Sequence, residues 1–378
     1  MKLAIVTHNV IKGDGQGRVN YEVTRYALQK GHKVTLIANQ VDKSLIELGA
    51  EWKPIYPKFL SQVDLFKCFE FALRADRLLS SIPALEEADI IHAYGHTLTV
   101  PHHVNTSQFV HDAWLRSPVH SSKLSHSVNG IYQWVFSTMN ARWEKVAYKR
   151  AKRVVAASHT VFKELQHIGV GADKLSVILN GVDTSEFYPD DKQDRASLGL
   201  PPKPTTLALF AGDIRSARKN LESVLKALVT LPELHLGVIG TLRGSPYPSL
   251  AQSLGVANRV HFLDYRRDVA EIMRAGDFFV FPSRYEPFGN VILEAMASGL
   301  PVITSANVGA ACVVTPECGI VLSDSDDVDG LARAMSELYY DKQRREAMSK
   351  AARLQAQNYT WDKIAAQYLA VYEEVSSH

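Results

Sequence analysis

The sequence predicts an α/β protein built from two Rossmann-like, doubly wound parallel-sheet domains. Three observations predict this. Short apolar, β-branched runs alternate with longer segments of helical periodicity, the pattern of a parallel sheet wrapped in helices. The pattern runs through once and restarts near residue 176. The length of 378 residues suits about two domains, and a 46% hydrophobic, 22% charged composition gives side chains enough for two cores.

Residues 2–7 (Lys-Leu-Ala-Ile-Val-Thr) read as a buried parallel strand. A glycine-rich loop, Gly13-Asp-Gly15-Gln-Gly17, precedes an amphipathic helix near 18–30, with Val19, Val23, Tyr26 and Ala27 at helical spacing and Gly31 as its terminator. Residues 34–38 form a second strand, and 90–91, 106–110 and 153–157 later strands of the same sheet. The restart begins with a strand at 176–179. A polar loop follows at 191–203, then a strand at 206–211, a glycine, basic residues and a helix at 220–229. Strands at 236–239, 260–263, 278–281 and 302–304 continue the second sheet. The expected domains are therefore 1–178 and 179–356, with 357–378 a helix packing back on the first. In that helix Trp361, Ile364, Ala365, Tyr368, Leu369 and Tyr372 make one stripe that has to be buried.

The three cysteines, Cys68, Cys312 and Cys318, form no Cys-x-x-Cys pair, so neither a zinc site nor a redox pair is expected, and the sparse set fits a reducing cytoplasm. The opening strand is broken too soon by His8 and Asn9 to be a signal peptide. No apolar run approaches the ~20 residues of a membrane span. Charge is uneven. Residues 1–175 hold 22 Lys/Arg against 15 Asp/Glu, a net of +7, and the remainder 20 against 25, a net of −5. Such asymmetry favours an anionic partner for the first half, a solvated surface being the plain alternative. The basic run from Arg142 to Arg153, with Trp143 and Tyr148, fits peripheral contact with an anionic membrane as well as a solvated helix entering a strand. The expected location is cytoplasmic, with the inner face of the membrane as the peripheral site, and no nucleic-acid partner is expected.

The sharpest signal is Arg284-Tyr-Glu286-Pro-Phe288-Gly289-Asn290-Val291-Ile-Leu-Glu294-Ala-Met-Ala-Ser-Gly299-Leu-Pro301-Val. It places Glu286 in a strand-to-helix loop and Glu294 about one turn inside the helix, where open α/β sheets bind ligands. Gly289 lets backbone approach a ligand, and the N–H groups near Asn290 and Val291 suit an anion. A second segment, Phe210-Ala-Gly212-Asp213-Ile-Arg215-Ser-Ala-Arg218-Lys219-Asn220, supplies a glycine and clustered cations suited to a diphosphate.

The two glutamates, with seven residues between them in the setting Glu-Pro-Phe-Gly…Leu-Glu-Ala-Met-Ala-x-Gly-x-Pro-Val, resemble the signature of glycosyltransferase family 4, of GT-B fold. The resemblance implies two Rossmann-like domains facing a central cleft and a retaining transfer from a nucleoside diphosphate sugar. A UDP-sugar is favoured, UDP-glucose first among them, with a glycan, lipid-linked or small-molecule acceptor. It implies that Glu286 hydrogen-bonds the donor sugar, that Glu294 holds the ribose, and that Lys219 binds the diphosphate. The family arginine aligns with Asp213, so Arg215 or Arg218 takes its place. Gly15 matches the family's N-terminal glycine loop, and His111-Asp112 its His-Asp pair beside the sugar. Asn180-Gly-Val-Asp183 is a smaller match, and Tyr265, after Phe262-Leu-Asp264, lies at the base-binding loop, with a buried core edge as the other reading for its ring. No cofactor and no metal are expected, because the cations carry the electrostatic work and no suitably placed Asp-x-Asp is present. Two other readings remain open. One is a nicotinamide dehydrogenase, for which Gly-x-Gly-x-Gly has the wrong spacing but Asp42 is suggestive. The other is a sugar-nucleotide epimerase or silent binder.

Overall fold

The computed structural model describes residues 1–13, 15–57, 64–81, 88–124, 127–190 and 192–377. It divides into two compact units, Met1–Asn180 with Trp361–His378, and Gly181–Thr360.

The first unit holds a seven-stranded, all-parallel sheet: β1 (Lys2–Val10), β2 (Lys33–Val41), β3 (Glu51–Pro54), β4 (Ile90–Tyr94), β5 (His102–Ser107), β6 (Ala151–Ala156) and β7 (Leu175–Val177), in spatial order 3-2-1-4-5-6-7. Leu3 pairs with Val34 on one side and Ile90 on the other. Leu3, Ala4, Ile5 and Val6 are all buried, because helices cover both faces of a parallel sheet, and this is why the strand reads as an unbroken apolar run.

The second unit repeats the plan with β8 (Leu207–Ala211), β9 (His235–Ile239), β10 (Val260–Phe262), β11 (Phe278–Phe281), β12 (Val302–Ser305) and β13 (Gly319–Leu322), in order 10-9-8-11-12-13. In both sheets the order reverses beside the unit's first strand, between β1 and β4 and between β8 and β11. That reversal parts the loops at the carboxyl ends of the strands and leaves a crevice for ligands.

Several expectations are corrected. The strand at 175–177 does not restart the pattern; Leu175 pairs with Val154, so it closes the first sheet. The strand expected at 106–110 runs His102–Ser107. Of its buried polar groups, Asn105 Nδ2 donates to the Gly95 carbonyl at 2.9 Å and the Thr106 hydroxyl bonds His92, while Asn105 Oδ1 has no hydrogen-bond partner; the apolar Phe109 and Val110 belong to the turn that follows. β3 and β13 were not foreseen. β3 is an edge strand of Glu-Trp-Lys-Pro, and such a strand needs no apolar run. The first helix is Gly15–Gln29, so Gly15 and Gly17 belong to its first turn rather than to a loop, while Asp14 lies outside the described residues. Gly31 closes it at φ 80°. The polar stretch 191–203 carries a short 3-10 turn, Ala196–Leu198, and is pinned by Arg195. This guanidinium is buried, donating to the Ala275 carbonyl and pairing with Asp277 at 2.8 Å.

The helix Trp361–Ser376 belongs to the first unit and buries its whole apolar stripe. Arg25 pairs with Asp362 and Arg153 with Glu374. Inside, the His92 ring lies between the Tyr372 hydroxyl at 2.6 Å and the Thr106 hydroxyl at 2.8 Å.

Burial holds three histidines of this unit neutral: His92 and His96 fall to about 3 and His102 to about 4. In the unfolded chain each titrates near 6.5, so below that pH the unfolded state binds more protons. Stability is full above about pH 6.5 and is lost as pH falls toward the folded values, by up to about 1.4 kcal/mol per pH unit per histidine. Thermal unfolding of the first unit is expected to drop steeply between pH 7.5 and 5. A melting temperature that stays level over that range would show that these rings are not the buried neutral groups described.

Candidate functional site

β8 ends at Ala211, and Gly212 turns the chain toward a short 3-10 turn, Ala217–Lys219. A Cβ on Gly212 would sit 3.3 Å from Lys219 Cγ and 3.5 Å from the Phe281 ring, so glycine there leaves room for the lysine stem. Lys219 Nζ lies 5.1 Å from the centre of the Phe281 ring and pairs with the Glu286 carboxylate. Both side chains are largely shielded, at 12% and 13% exposure. Burial lowers the Lys219 ammonium below its ordinary value, with Arg218 adding to the effect and Glu286 opposing it.

Glu286 is fixed through its backbone. Its N–H donates to the Asn307 carbonyl at 3.1 Å, and its carbonyl accepts from Gly309 N at 2.8 Å. Gly289 follows at φ 93°, with its Cα face against Glu286 Cγ and Val308, and opens the helix Asn290–Ala297. The N-cap of that helix is Gly289, which has no side chain to bond the first N–H groups. Asn290, Val291 and Glu294 are half-buried on its first turns, whereas the Phe288 ring lies in the core.

The lysine turn is braced from β11's side. Asn220, left-handed at φ 60°, donates from Nδ2 to the Pro282 and Ser325 carbonyls at 3.1 and 2.6 Å and caps the helix Leu221–Leu228. Arg284 donates from N to the Arg218 carbonyl and from Nη1 to the Ala217 carbonyl, both at 2.9 Å, and pairs with Asp326. The Ser283 hydroxyl also donates to the Arg218 carbonyl. Of the two arginines that could replace the family's, Arg215 is exposed and doubly bonded to Asp213. Arg218 is half-buried, and its charge acts on Lys219. Tyr265 is two-thirds exposed, not a core edge. It follows Asp264, whose Oδ1 accepts from Leu242 N at 2.9 Å.

In the first unit, His111 opens the helix His111–Arg116. Glu144, buried, accepts from the His111 N–H at 2.9 Å and bonds its Nδ1 at 2.6 Å. Asn140 lies near Nε2, and Phe109 and Phe136 pack edge-on against the ring. Asp112 faces away, toward Arg116 and Lys145. Gly15 has open space around it and ordinary φ, so its conformation does not demand glycine. Asp42 caps the helix Lys43–Glu47, accepting from Ser44 N and Oγ, and is thereby spent on structure rather than on a ribose. Among the described residues, no group of three or more His, Cys, Asp or Glu side chains could hold a metal ion.

Comparison with known proteins bears on this arrangement. The family model for group 1 glycosyl transferases matches residues 190–355, and that for glycosyltransferase family 4 matches residues 13–186. The chain belongs to glycosyltransferase family 4. Family members similar to it include the D-inositol 3-phosphate glycosyltransferase of Xylanimonas cellulosilytica, 34% identical over 239 residues, which are 59% of this chain and 57% of that protein. The namesake from Mycobacterium marinum is 35% identical over 53% of this chain and 45% of its own length. The chain spans about half the length of the curated relatives it matches. Sucrose-phosphate synthase from Thermosynechococcus elongatus superposes with a TM-score of 0.80 at 20% identity, covering 100% of this chain and 99% of that one. HepE of Anabaena, in complex with UDP-glucose, does so at 0.70 and 20% identity, with full coverage of both chains. At such identity these likenesses establish the fold, which is GT-B.

In this family member the fold of the second unit brings together Gly212, Lys219, Glu286 and Gly289. It leaves Arg215 and Tyr265 on the surface and sets Arg218 beside the lysine. Sequence reasoning assigned no role to Asn140, Glu144, Asn220, Ser283 or Arg284. Glu144 stands 33 residues from His111, and no local pattern announces it; Asn220, next to Lys219, and Arg284, two residues before Glu286, lie inside the two segments that the sequence singles out. Asn220→Ala removes two buried hydrogen bonds, a helix cap and a residue tolerant of positive φ, so it is expected to cost about 2 kcal/mol or more. Urea unfolding of the variant checks this; a loss under about 0.5 kcal/mol would mean that Asn220 does not brace the lysine turn.

Proposed function

We propose that the chain is a retaining glycosyltransferase that moves a sugar from a nucleoside diphosphate sugar, a UDP-sugar first among them, to a glycan, lipid-linked or small-molecule acceptor. One observation carries the reading: Lys219 and Glu286 meet at the strand-order reversal of the second sheet. A cation and a carboxylate held there suit a ligand that presents both a diphosphate and sugar hydroxyls. UDP-glucose is the first donor to try, since the HepE structure is described with it.

In this reading the donor diphosphate takes over the Lys219 ammonium, and Glu286, released from the pair, accepts hydrogen bonds from the sugar. Arg218 is the second cation, because it is half-buried and its charge acts on Lys219, whereas Arg215 is exposed and held by Asp213. As the glycosidic C–O bond breaks, negative charge grows on the leaving diphosphate. Lys219, Arg218 and the N-terminus of the helix Asn290–Ala297 oppose it, so the reading requires no metal. Glu294 receives the ribose and Tyr265 offers its exposed ring to the base. The first unit is assigned the acceptor, with His111 as its polar group, oriented by Glu144. Retention follows from attack on the face that the diphosphate leaves.

Lys219→Ala and Glu286→Ala are each expected to lower transfer at least about 100-fold while circular dichroism keeps the wild-type fold. Mass spectrometry against a panel of UDP-, GDP- and ADP-sugars supplies the donor, and full activity in either variant refutes the assignment. Arg218→Ala should raise the donor KM about tenfold, the scale of one charge-assisted contact, and Arg215→Ala should change it little. The opposite ranking would make Arg215 the diphosphate ligand.

A further inference from the structure

The helix Val128–Arg150 has two faces with different tasks. At about 100° per residue, Phe136, Ser137, Asn140, Ala141, Glu144, Ala147 and Tyr148 share its inner side, which holds His111. The opposite side is solvent-exposed along its length. Its first turns carry Val128, Ile131, Trp134 and Val135, of which Val128 is 86% and Trp134 53% exposed. Its last turns carry Arg142, Lys145, Lys149 and Arg150. Its single acidic residue, Glu144, is buried and turned inward. The neighbouring helix Asp64–Ser81 continues the surface: Phe69 stacks on Trp143 at 5.3 Å, and Phe66, Phe69 and Leu73 are exposed at helical spacing, beside Arg77 and the ion pairs Arg74–Glu70 and Lys67–Asp64.

Large apolar side chains left in water cost free energy unless something covers them. We propose that this face of the first unit docks on an anionic lipid bilayer, with Val128, Ile131, Trp134 and Phe66 entering the headgroup boundary and Arg142 and Lys149 meeting lipid phosphates. The charge pattern selects this occupant. A second copy of the chain on the same face would set these cations against their own kind, whereas an anionic surface satisfies the cations and the apolar residues together. Docking there would hold the unit assigned to the acceptor at the surface where a lipid-linked acceptor resides. That consequence rests on the proposed function, but the docking itself does not.

The test is sedimentation of the full chain with sucrose-loaded vesicles of phosphatidylcholine and phosphatidylglycerol, 3:1, and with phosphatidylcholine alone. Binding is expected to the mixed vesicles only, and to weaken with salt. Ile131→Glu with Trp134→Glu should reduce it more than tenfold, and Arg142→Gln with Lys149→Gln by about fivefold for each cation. All four residues are exposed, and unchanged melting temperatures verify that the variants fold. Donor binding by thermal shift should be unaffected, which separates failure of this proposal from failure of the catalytic one. Absence of vesicle binding overturns the proposal, as does binding that survives Ile131→Glu with Trp134→Glu. So does a concentration-dependent dimer that the same pair of substitutions dissolves, since that would assign the face to self-association.

Discussion

Both sheets are parallel and covered by helices on both faces, and this constraint decides where polar chemistry can stand. A strand interior such as Leu3–Val6 or Leu207–Phe210 has no room for an unpaired charge. Charged groups are therefore pushed to the strand ends, and the reversal of strand order next to β1 and β8 keeps the adjoining loops from closing over one another. Gly212 and Glu286 follow β8 and β11, which flank the reversal in the second sheet. His111 follows β5 at the same end of the first.

Within the second unit, the pairing of Lys219 with Glu286 is a compromise between desolvation and attraction. A shielded ammonium is costly alone, and a buried pair stabilises little relative to well-packed apolar residues. Holding such a pair is worthwhile where a ligand can replace one partner by a group of the same charge, as a diphosphate replaces a carboxylate. The surrounding structure spends hydrogen bonds to keep the lysine in place: Asn220, Ser283 and Arg284 all bond backbone carbonyls of the two segments that meet there. Their work is positional, and they leave the pair free to exchange partners.

The first unit economises differently, giving one helix two roles. The inward side of Val128–Arg150 supplies Glu144 and Asn140 to His111, and the outward side is apolar at one end and cationic at the other. A helix with no consistent apolar face toward the core reads as featureless by periodicity. Its inner face mixes the polar groups that serve a histidine with small and aromatic residues, and part of its outer face is apolar.

The sequence by itself determined the fold class, most of the strands and the family, because buried parallel strands leave long apolar runs and because the string from Arg284 to Val302 is local and dense in chemistry. It also brought Lys219 and Glu286 forward, through the family resemblance, as two contacts to one donor. Their meeting, 67 positions apart, was decided by the tertiary structure, as was the choice of Glu144 to orient His111 from 33 residues away. Nor could the sequence show that Arg215 is already held by Asp213 while Arg218 is not exposed in the same way. Periodicity reports which side of an element is buried, but a hydrogen bond or ion pair between distant residues depends on strand order and loop path, which no local spacing encodes.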